Sequence, residues 1–161
     1  MFRVGNGFDV HRFSMEAEPD AFIVLAGIRI PHSHTLLAHS DGDVLCHALC
    51  DALLGALALG DIGQHFPDTD PQYKNISSLS LLKKVYALLG EHGWTLQNAD
   101  ITVIAERPKL LSYRMQMQAS LAAALEVSSD RISIKATTSE GLGFTGRGEG
   151  IAVQANVLIQ G

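Results

Sequence analysis

Residues 44–59 read Val-Leu-Cys-His-Ala-Leu-Cys-Asp-Ala-Leu-Leu-Gly-Ala-Leu-Ala-Leu, a run whose leucine and alanine content favours helix over any other regular state. Gly60 stands where such a helix stops. Asp43, His47 and Asp51 recur at four-residue spacing through it and so share one face. A helix this apolar belongs in a core, and three ionisable groups on one of its faces are costly to bury unpaired. Whatever packs against that face must therefore bring charge partners or a metal. A histidine on an apolar helix can also be an ordinary satisfied core residue, so both readings stay open at this point.

The N-terminal segment supplies a partner. Residues 2–11 read as a strand, and Asp9 and His11, two apart, point to one side of it. A strand offering a carboxylate and an imidazole, beside a helix offering a second imidazole, can close around a divalent cation. Three protein ligands with a fourth position open is the arrangement of a catalytic zinc, whereas structural zinc sites are filled by four. Asp43 and Asp51 then suit the supporting groups around a ligating His47.

At 161 residues, with 47% apolar and 18% charged side chains, the chain is expected to form one domain, residues 1–161, with a real core. A net charge of −5 with no basic face argues against a nucleic-acid partner. The start lacks the basic leader and apolar run of a secretory signal, and no stretch is long and apolar enough to span a membrane. A cytoplasmic location is the expectation, in which Cys46 and Cys50 are buried free thiols.

The remaining elements follow from periodicity and punctuation. Residues 22–25 and 28–30 form a bent strand or hairpin around Gly27, ended by Pro31. A turn-rich loop at 61–71 is long enough to suggest function. Ser77 or Ser78 caps a helix running to His92 and stopped by Gly93. A strand at 101–104, a helix at 112–126, a strand at 131–135, a glycine-rich hairpin and a strand at 151–159 complete the chain. Strands mixed with three helices, without a regular βαβ rhythm, predict an α+β fold: a mixed sheet with helices on one face.

Three motifs admit a bland and a functional reading. Gly141-Leu142-Gly143-Phe144-Thr145-Gly146 matches a dinucleotide fingerprint, but no βαβ unit fits around it, so its glycines serve a tight turn or a close ligand. Arg147 and Glu149 flank Gly148 and can pair at a hairpin tip or bind a ligand. Residues 135–140, Lys-Ala-Thr-Thr-Ser-Glu, are either a hydroxyl-rich turn or a place for phosphate oxygens with a carboxylate for a hard cation.

Together these runs resemble the 2-C-methyl-D-erythritol 2,4-cyclodiphosphate synthase family of the non-mevalonate isoprenoid pathway. The matching segments are Gly-x-Gly-Phe-Asp-Val-His at 5–11, Leu-Leu-Ala-His-Ser-Asp-Gly-Asp-Val at 36–44 and His-Ala-Leu-x-Asp-Ala-Leu-Leu-Gly at 47–55. They continue with Leu-Gly-Asp-Ile-Gly at 59–63, Phe-Pro-Asp-Thr-Asp at 66–70, Pro-Lys-Leu at 108–110 and the long run at 134–151. The resemblance spans essentially the whole chain in one order.

It implies a lyase-type cyclisation in which the 2-phosphate of 4-diphosphocytidyl-2-C-methyl-D-erythritol 2-phosphate attacks the β-phosphorus and expels CMP. It further implies zinc on Asp9, His11 and His47, and magnesium or manganese on Glu140. His39 and Thr138 would stabilise the transition state, and Ser40 would help hold the substrate. Asp61 and Gly63 would meet the ribose, with Phe66 and Asp68 in a loop over the methylerythritol phosphate. Ala105, Pro108, Lys109, Leu110 and Leu111, with Ala136 and Thr137, would seat the cytosine largely through backbone groups, and Phe144 would also touch substrate. The family implies a homotrimer with active sites between subunits and a central cavity, near Arg147 and Glu149, where isoprenoid diphosphates can bind. Asn6, Glu106-Arg107 and Ser139-Glu140-Gly141 depart from the usual pattern, and the length leaves no room for the cytidylyltransferase fused to many relatives. The rival classes are a metal-dependent phosphodiesterase giving a linear product and a non-catalytic isoprenoid-diphosphate binding module.

Overall fold

A computed structural model describes every residue except Asp68 and Lys74. In chain order the elements are β1 (Phe2–Phe13), β2 (Phe22–Leu25), β3 (Ile28–Pro31), β4 (Leu36–Leu37), α1 (Val44–Ala56) and α2 (Ile62–His65). Then follow α3 (Ser78–Glu91), β5 (Thr95–Ile104), α4 (Arg114–Ala124), β6 (Ile132–Thr137), α5 (Gly143–Gly146) and β7 (Gly150–Gln160). The main sheet has the order β4-β1-β7-β5-β6, antiparallel throughout except for the parallel pair β5–β6; β2 and β3 form a separate hairpin. The expected mixed sheet with helices on one face is what forms. Among the described residues, no helix is long and apolar enough to cross a membrane.

Helix α1 is buried on nearly every side, as a helix apolar all round must be, and it packs on β1, β7 and α3. Its N-cap, Asp43, is fully buried and accepts from the Cys46 N–H at 3.0 Å. The same carboxylate accepts from the N–H groups of Ala26 at 3.0 Å and Gly27 at 2.7 Å, so it clamps the β2–β3 turn onto the start of the helix. Ala26 and Gly27 both take left-handed conformations (φ 53° and 75°), the pattern of a tight two-residue hairpin turn. Burial pushes the Asp43 pKa up; the three backbone N–H groups oppose this, and the net direction remains upward. Cys46 and Cys50 are free and fully buried on this helix, and burial raises both thiols well above their ordinary range, which leaves them unreactive.

Gly5 and Gly7 decide how closely α1 approaches β1. A Cβ on Gly5 would overlap the Ala52 carbonyl oxygen, and one on Gly7 the Ala48 carbonyl oxygen. Two glycines on one face of the strand thus form a trough for the helix backbone.

The strand expected at 101–104 starts six residues earlier, at Thr95, and three further expectations need correction. Helix α1 ends at Ala56, not Leu59: Ala58 turns left-handed (φ 59°), and the N–H groups of Ala58 and Leu59 donate back to Gly55 and Leu54. This is a glycine-type C-terminal motif closed by alanine, two residues before Gly60. The helix expected at 112–126 spans 114–124, because a 3-10 turn at Leu111–Tyr113 precedes it. No hairpin joins the last two strands. β7 inserts between β1 and β5, β6 pairs in parallel with β5, and the glycine-rich segment between them coils into the short helix α5. Gly146 permits that coil, since a Cβ there would overlap the Gly141 backbone.

The face of the sheet away from the helices carries Phe2, Val4, Phe8 and Val10, all exposed, beside the cross-strand pairs Asn6–Asn156 and Lys135–Asp100. Exposed apolar side chains thus run in one strip along an uncovered sheet face.

Candidate active site

Alternation along β1 turns Gly5, Gly7, Asp9 and His11 toward α1. Where the glycines end, the strand and helix leave room for side chains, and there Asp9 and His11 meet His47. The Asp9 Oδ2 atom lies 3.2 Å from His47 Nδ1 and 3.5 Å from His11 Nδ1, and the two imidazoles meet edge to face at 5.2 Å. One donor atom from each of the three residues falls within 4.8 Å of the others, and no other such group occurs among the described residues. The sequence-level pairing of Asp9-x-His11 with His47 is therefore realised in space.

The hydrogen bonds around these donors assign their atoms. His11 Nδ1 donates to the Val10 carbonyl at 2.7 Å, which leaves His11 Nε2 with a lone pair. That Nε2 atom is buried and has no partner among the described residues. His47 Nε2 faces the Ser78 hydroxyl at 2.8 Å, with Ser40 Oγ farther away at 3.5 Å. The Ser78 hydroxyl gives its own proton to Asp41 Oδ1 in a short bond, and the Ser78 N–H donates to Asp41 Oδ2 at 2.9 Å. Ser78 can then only accept from His47 Nε2–H, and this directs the unprotonated Nδ1 of His47 toward Asp9. Burial pulls the His47 pKa down, but the hydrogen bond that Asp9 accepts once a proton sits on Nδ1, together with the charges of Asp9, Asp43 and Asp41, raises it overall. A cation can occupy the place of that proton. One carboxylate and two neutral imidazoles are a donor set for a borderline divalent metal.

Ser78 and Asp41 were missed by sequence reasoning, which gave Ser78 only a capping role. The cap is Ser77, whose side chain accepts from Ser80 N–H, and this frees the Ser78 hydroxyl. The side chains of Asp43 and Asp51, expected as supporting groups around His47, make no hydrogen bond to its imidazole; Asp43 acts on it through charge alone. Asp43 holds the β2–β3 turn, and Asp51 accepts from the Ile62 N–H at 2.8 Å to anchor the loop that starts α2. Burial raises the Asp51 pKa there.

A cavity of about 490 Å³ opens over the donors, lined by His11 and His47, by His39 and Ser40, and by Gly63 and Phe66 of the 61–71 loop. Asp61 does not line it; its carboxylate caps α2 and accepts from the Gln64 backbone and side chain at 3.0 and 3.2 Å. Asp68 lies outside the described residues. A second cavity of about 300 Å³ is lined by Leu110, Leu111, Arg114, Met117, Lys135 and Ala136, at the opposite edge of the sheet. Ala105, Pro108, Lys109 and Thr137 do not line it. β1 and β6 are separated by β7 and β5, a span of roughly 14 Å at the usual strand spacing. One chain does not merge the two cavities. Thr138 and Glu140 follow β6 in a turn where the Glu140 N–H reaches Thr138 Oγ1 at 3.3 Å, and Arg147 pairs with Glu149 at 2.8 Å as its spacing implied. Phe144 lies in α5, partly exposed.

A family model described as the YgbB family matches residues 2–160. The 2-C-methyl-D-erythritol 2,4-cyclodiphosphate synthase of Acinetobacter baumannii (strain SDF) is 62% identical over 157 residues, covering 98% of this chain and 96% of its own. The structure of the bifunctional IspDF from Campylobacter jejuni aligns with a TM-score of 0.91 at 48% identity, over 99% of this chain and 42% of that longer one. The Plasmodium falciparum IspF structure, a CDP complex, aligns with a TM-score of 0.85 at 32% identity, over 98% and 95% of the two chains.

Proposed function

The chain belongs to the YgbB family, the 2-C-methyl-D-erythritol 2,4-cyclodiphosphate synthases, and from that premise we propose how its residues divide the work of the reaction. The reaction converts 4-diphosphocytidyl-2-C-methyl-D-erythritol 2-phosphate into the cyclic diphosphate and CMP. A 2-phosphate oxygen forms a bond to the β-phosphorus, and the bond from that phosphorus to the oxygen bridging to the α-phosphate breaks. The nucleophile is already an anion, so neutralising charge and holding the reacting groups in line matter more than a strong base.

Asp9, His11 and His47 hold a zinc ion in this reading. The observation that carries it is the buried Nε2 of His11, unpartnered among the described residues, in a group whose donor atoms lie within 4.8 Å of one another and whose two imidazoles line the larger cavity. When bound, the zinc supplies Lewis acidity and a template at a β-phosphate oxygen. Asp41 and Ser78 keep His47 in the ligating tautomer. Glu140 takes the second cation, magnesium or manganese, through oxygen. His39 and Thr138 hold the transferring phosphate, Ser40 binds substrate beside them, and Gly63 and Phe66, on the loop that Asp61 caps, enclose the sugar end. The backbone of Ala105 and of residues 108–111, with Ala136 and Thr137, seats the cytosine at the second cavity, and Phe144 closes on the nucleotide.

Because one chain keeps its two cavities about three strands apart, the complete site needs a neighbouring copy. The uncovered strip of Phe2, Val4, Phe8 and Val10 is the surface on which three copies would pack, with Arg147 and Glu149 lining a central cavity suited to an isoprenoid diphosphate. Residues 1–161 act as one domain, in the cytoplasm.

The test is product analysis by mass spectrometry in ¹⁸O-water, on protein whose solution mass is measured in parallel. The expected outcome is CMP and a cyclic diphosphate free of solvent oxygen, made by a species of three times the chain mass. A linear 2,4-bisphosphate carrying ¹⁸O would instead identify a phosphodiesterase, and ligand binding without turnover a binding module.

The orienting role of Ser78 has its own consequence. Ser78→Ala removes the acceptor for His47 Nε2–H and is expected to weaken zinc about 10–100-fold, the usual effect of losing a partner that orients a ligand. Chelator competition checks this, and an unchanged zinc affinity would remove Ser78 and Asp41 from the site.

A further inference from the structure

Glu106 lies in the segment read as the cytosine seat, yet its carboxylate turns to the other loop. Glu106 Oε1 accepts from the Ser139 N–H at 3.2 Å and from the Gly141 N–H at 3.3 Å. These two amides flank Glu140, which is held left-handed (φ 56°) although it is not glycine, and Gly141 is left-handed as well (φ 75°). A residue with a Cβ in that conformation carries strain that its surroundings must offset. The surroundings are specific: Ser139 Oγ donates to the Leu142 carbonyl at 2.7 Å and meets the buried Thr145 hydroxyl at 2.7 Å, while Glu106 receives the amides on either side.

We propose that Glu106 is a positioning residue that aims Glu140 at the second divalent cation. Resting on the reading of Glu140 as that cation's ligand, the proposal adds a residue that ties the nucleotide seat to the cation ligand through one side chain. Receiving both flanking N–H groups fixes the turn, so Glu140 is preset for the cation and not ordered by it. Without Glu106 the turn can relax from its left-handed conformation, and Glu140 must be re-ordered each time the cation binds.

The experiment measures Mn²⁺ binding by electron paramagnetic resonance, with CDP present, on zinc-loaded protein and its variants. Glu106→Ala, and Glu106→Asp, whose shorter side chain cannot reach both amides, are expected to weaken Mn²⁺ about tenfold or more, as loss of a supporting partner does. Zinc content should stay unchanged, and kcat should recover at saturating Mn²⁺. Glu106→Gln keeps an oxygen that can accept from both amides and should stay within about threefold of the parent. A role in stability alone would not single out Mn²⁺ while sparing zinc. Mn²⁺ binding unaffected in both weakened variants, while Glu140→Ala abolishes it, would overturn the role of Glu106. Mn²⁺ binding that survives Glu140→Ala would overturn the ligand assignment itself, and this proposal with it.

Discussion

Replacing His47 by alanine is expected to remove tightly bound metal and turnover together while the protein stays folded. The imidazole touches Asp9 through Nδ1 and Ser78 through Nε2, so its loss leaves two donors from a single strand where three had converged. Two ligands two residues apart on β1 cannot close a tetrahedral site, and the loss should exceed the ~10–100-fold that removal of an orienting partner brings. Folding does not rest on this side chain. The Asp43 cap and the buried Leu45, Leu49, Leu53 and Leu54 are untouched, so the stability cost should be about 1–3 kcal/mol, the price of lost buried hydrogen bonds. Metal content by mass spectrometry, activity by ³¹P NMR and a denaturant titration read the three quantities separately. A variant that kept stoichiometric zinc and full turnover would refute the ligand assignment.

Gly7→Ala should damage both the fold and the metal site, through a single methyl group. The new Cβ would occupy the space of the Ala48 carbonyl oxygen, a backbone atom in the middle of α1 that cannot rotate away. Strand and helix must separate, which places the cost at the upper end of overpacking, about 3 kcal/mol or more. His47 lies one residue before Ala48, and Asp9 two residues beyond Gly7, so separation at this contact pulls the donors apart. Zinc affinity and the denaturation midpoint should therefore fall together. Gly90→Ala makes the control: Gly90 lies in α3 with nothing within 4 Å of an added Cβ, and the same substitution there should stabilise by about 0.5–1 kcal/mol. If Gly7→Ala retained parental stability, the trough formed by the two glycines would not govern the approach of the helix.

Much of the candidate site is legible in the chain because it is built on local periodicity. Asp9 and His11 share a face because any strand repeats every two residues, and His47 faces the core because the helix around it has no polar side wide enough to expose. Gly27 between two short apolar runs signals a bent strand or a hairpin, and the structure makes it a hairpin with Ala26 and Gly27 both left-handed. The capping serine of α3 was narrowed to Ser77 or Ser78 and no further. Choosing between them required knowing that Asp41, 37 residues away, reaches Ser78.

What the sequence by itself determined is the main helices and strands, though not the short helices at 62–65 and 143–146, and the chemistry they carry: an apolar helix with one imidazole, a strand with a carboxylate and an imidazole, and a hydroxyl-rich turn ending in Glu140. Each follows from interactions within a few residues, where backbone geometry and side-chain type suffice. Tertiary structure alone decided that β7 enters between β1 and β5, that Gly5 and Gly7 receive the helix backbone, that Asp41 and Ser78 set the His47 tautomer, and that the two cavities lie at opposite edges of the sheet. These depend on contacts between residues tens of positions apart. Such contacts form only when the whole core is packed, so no local pattern encodes them.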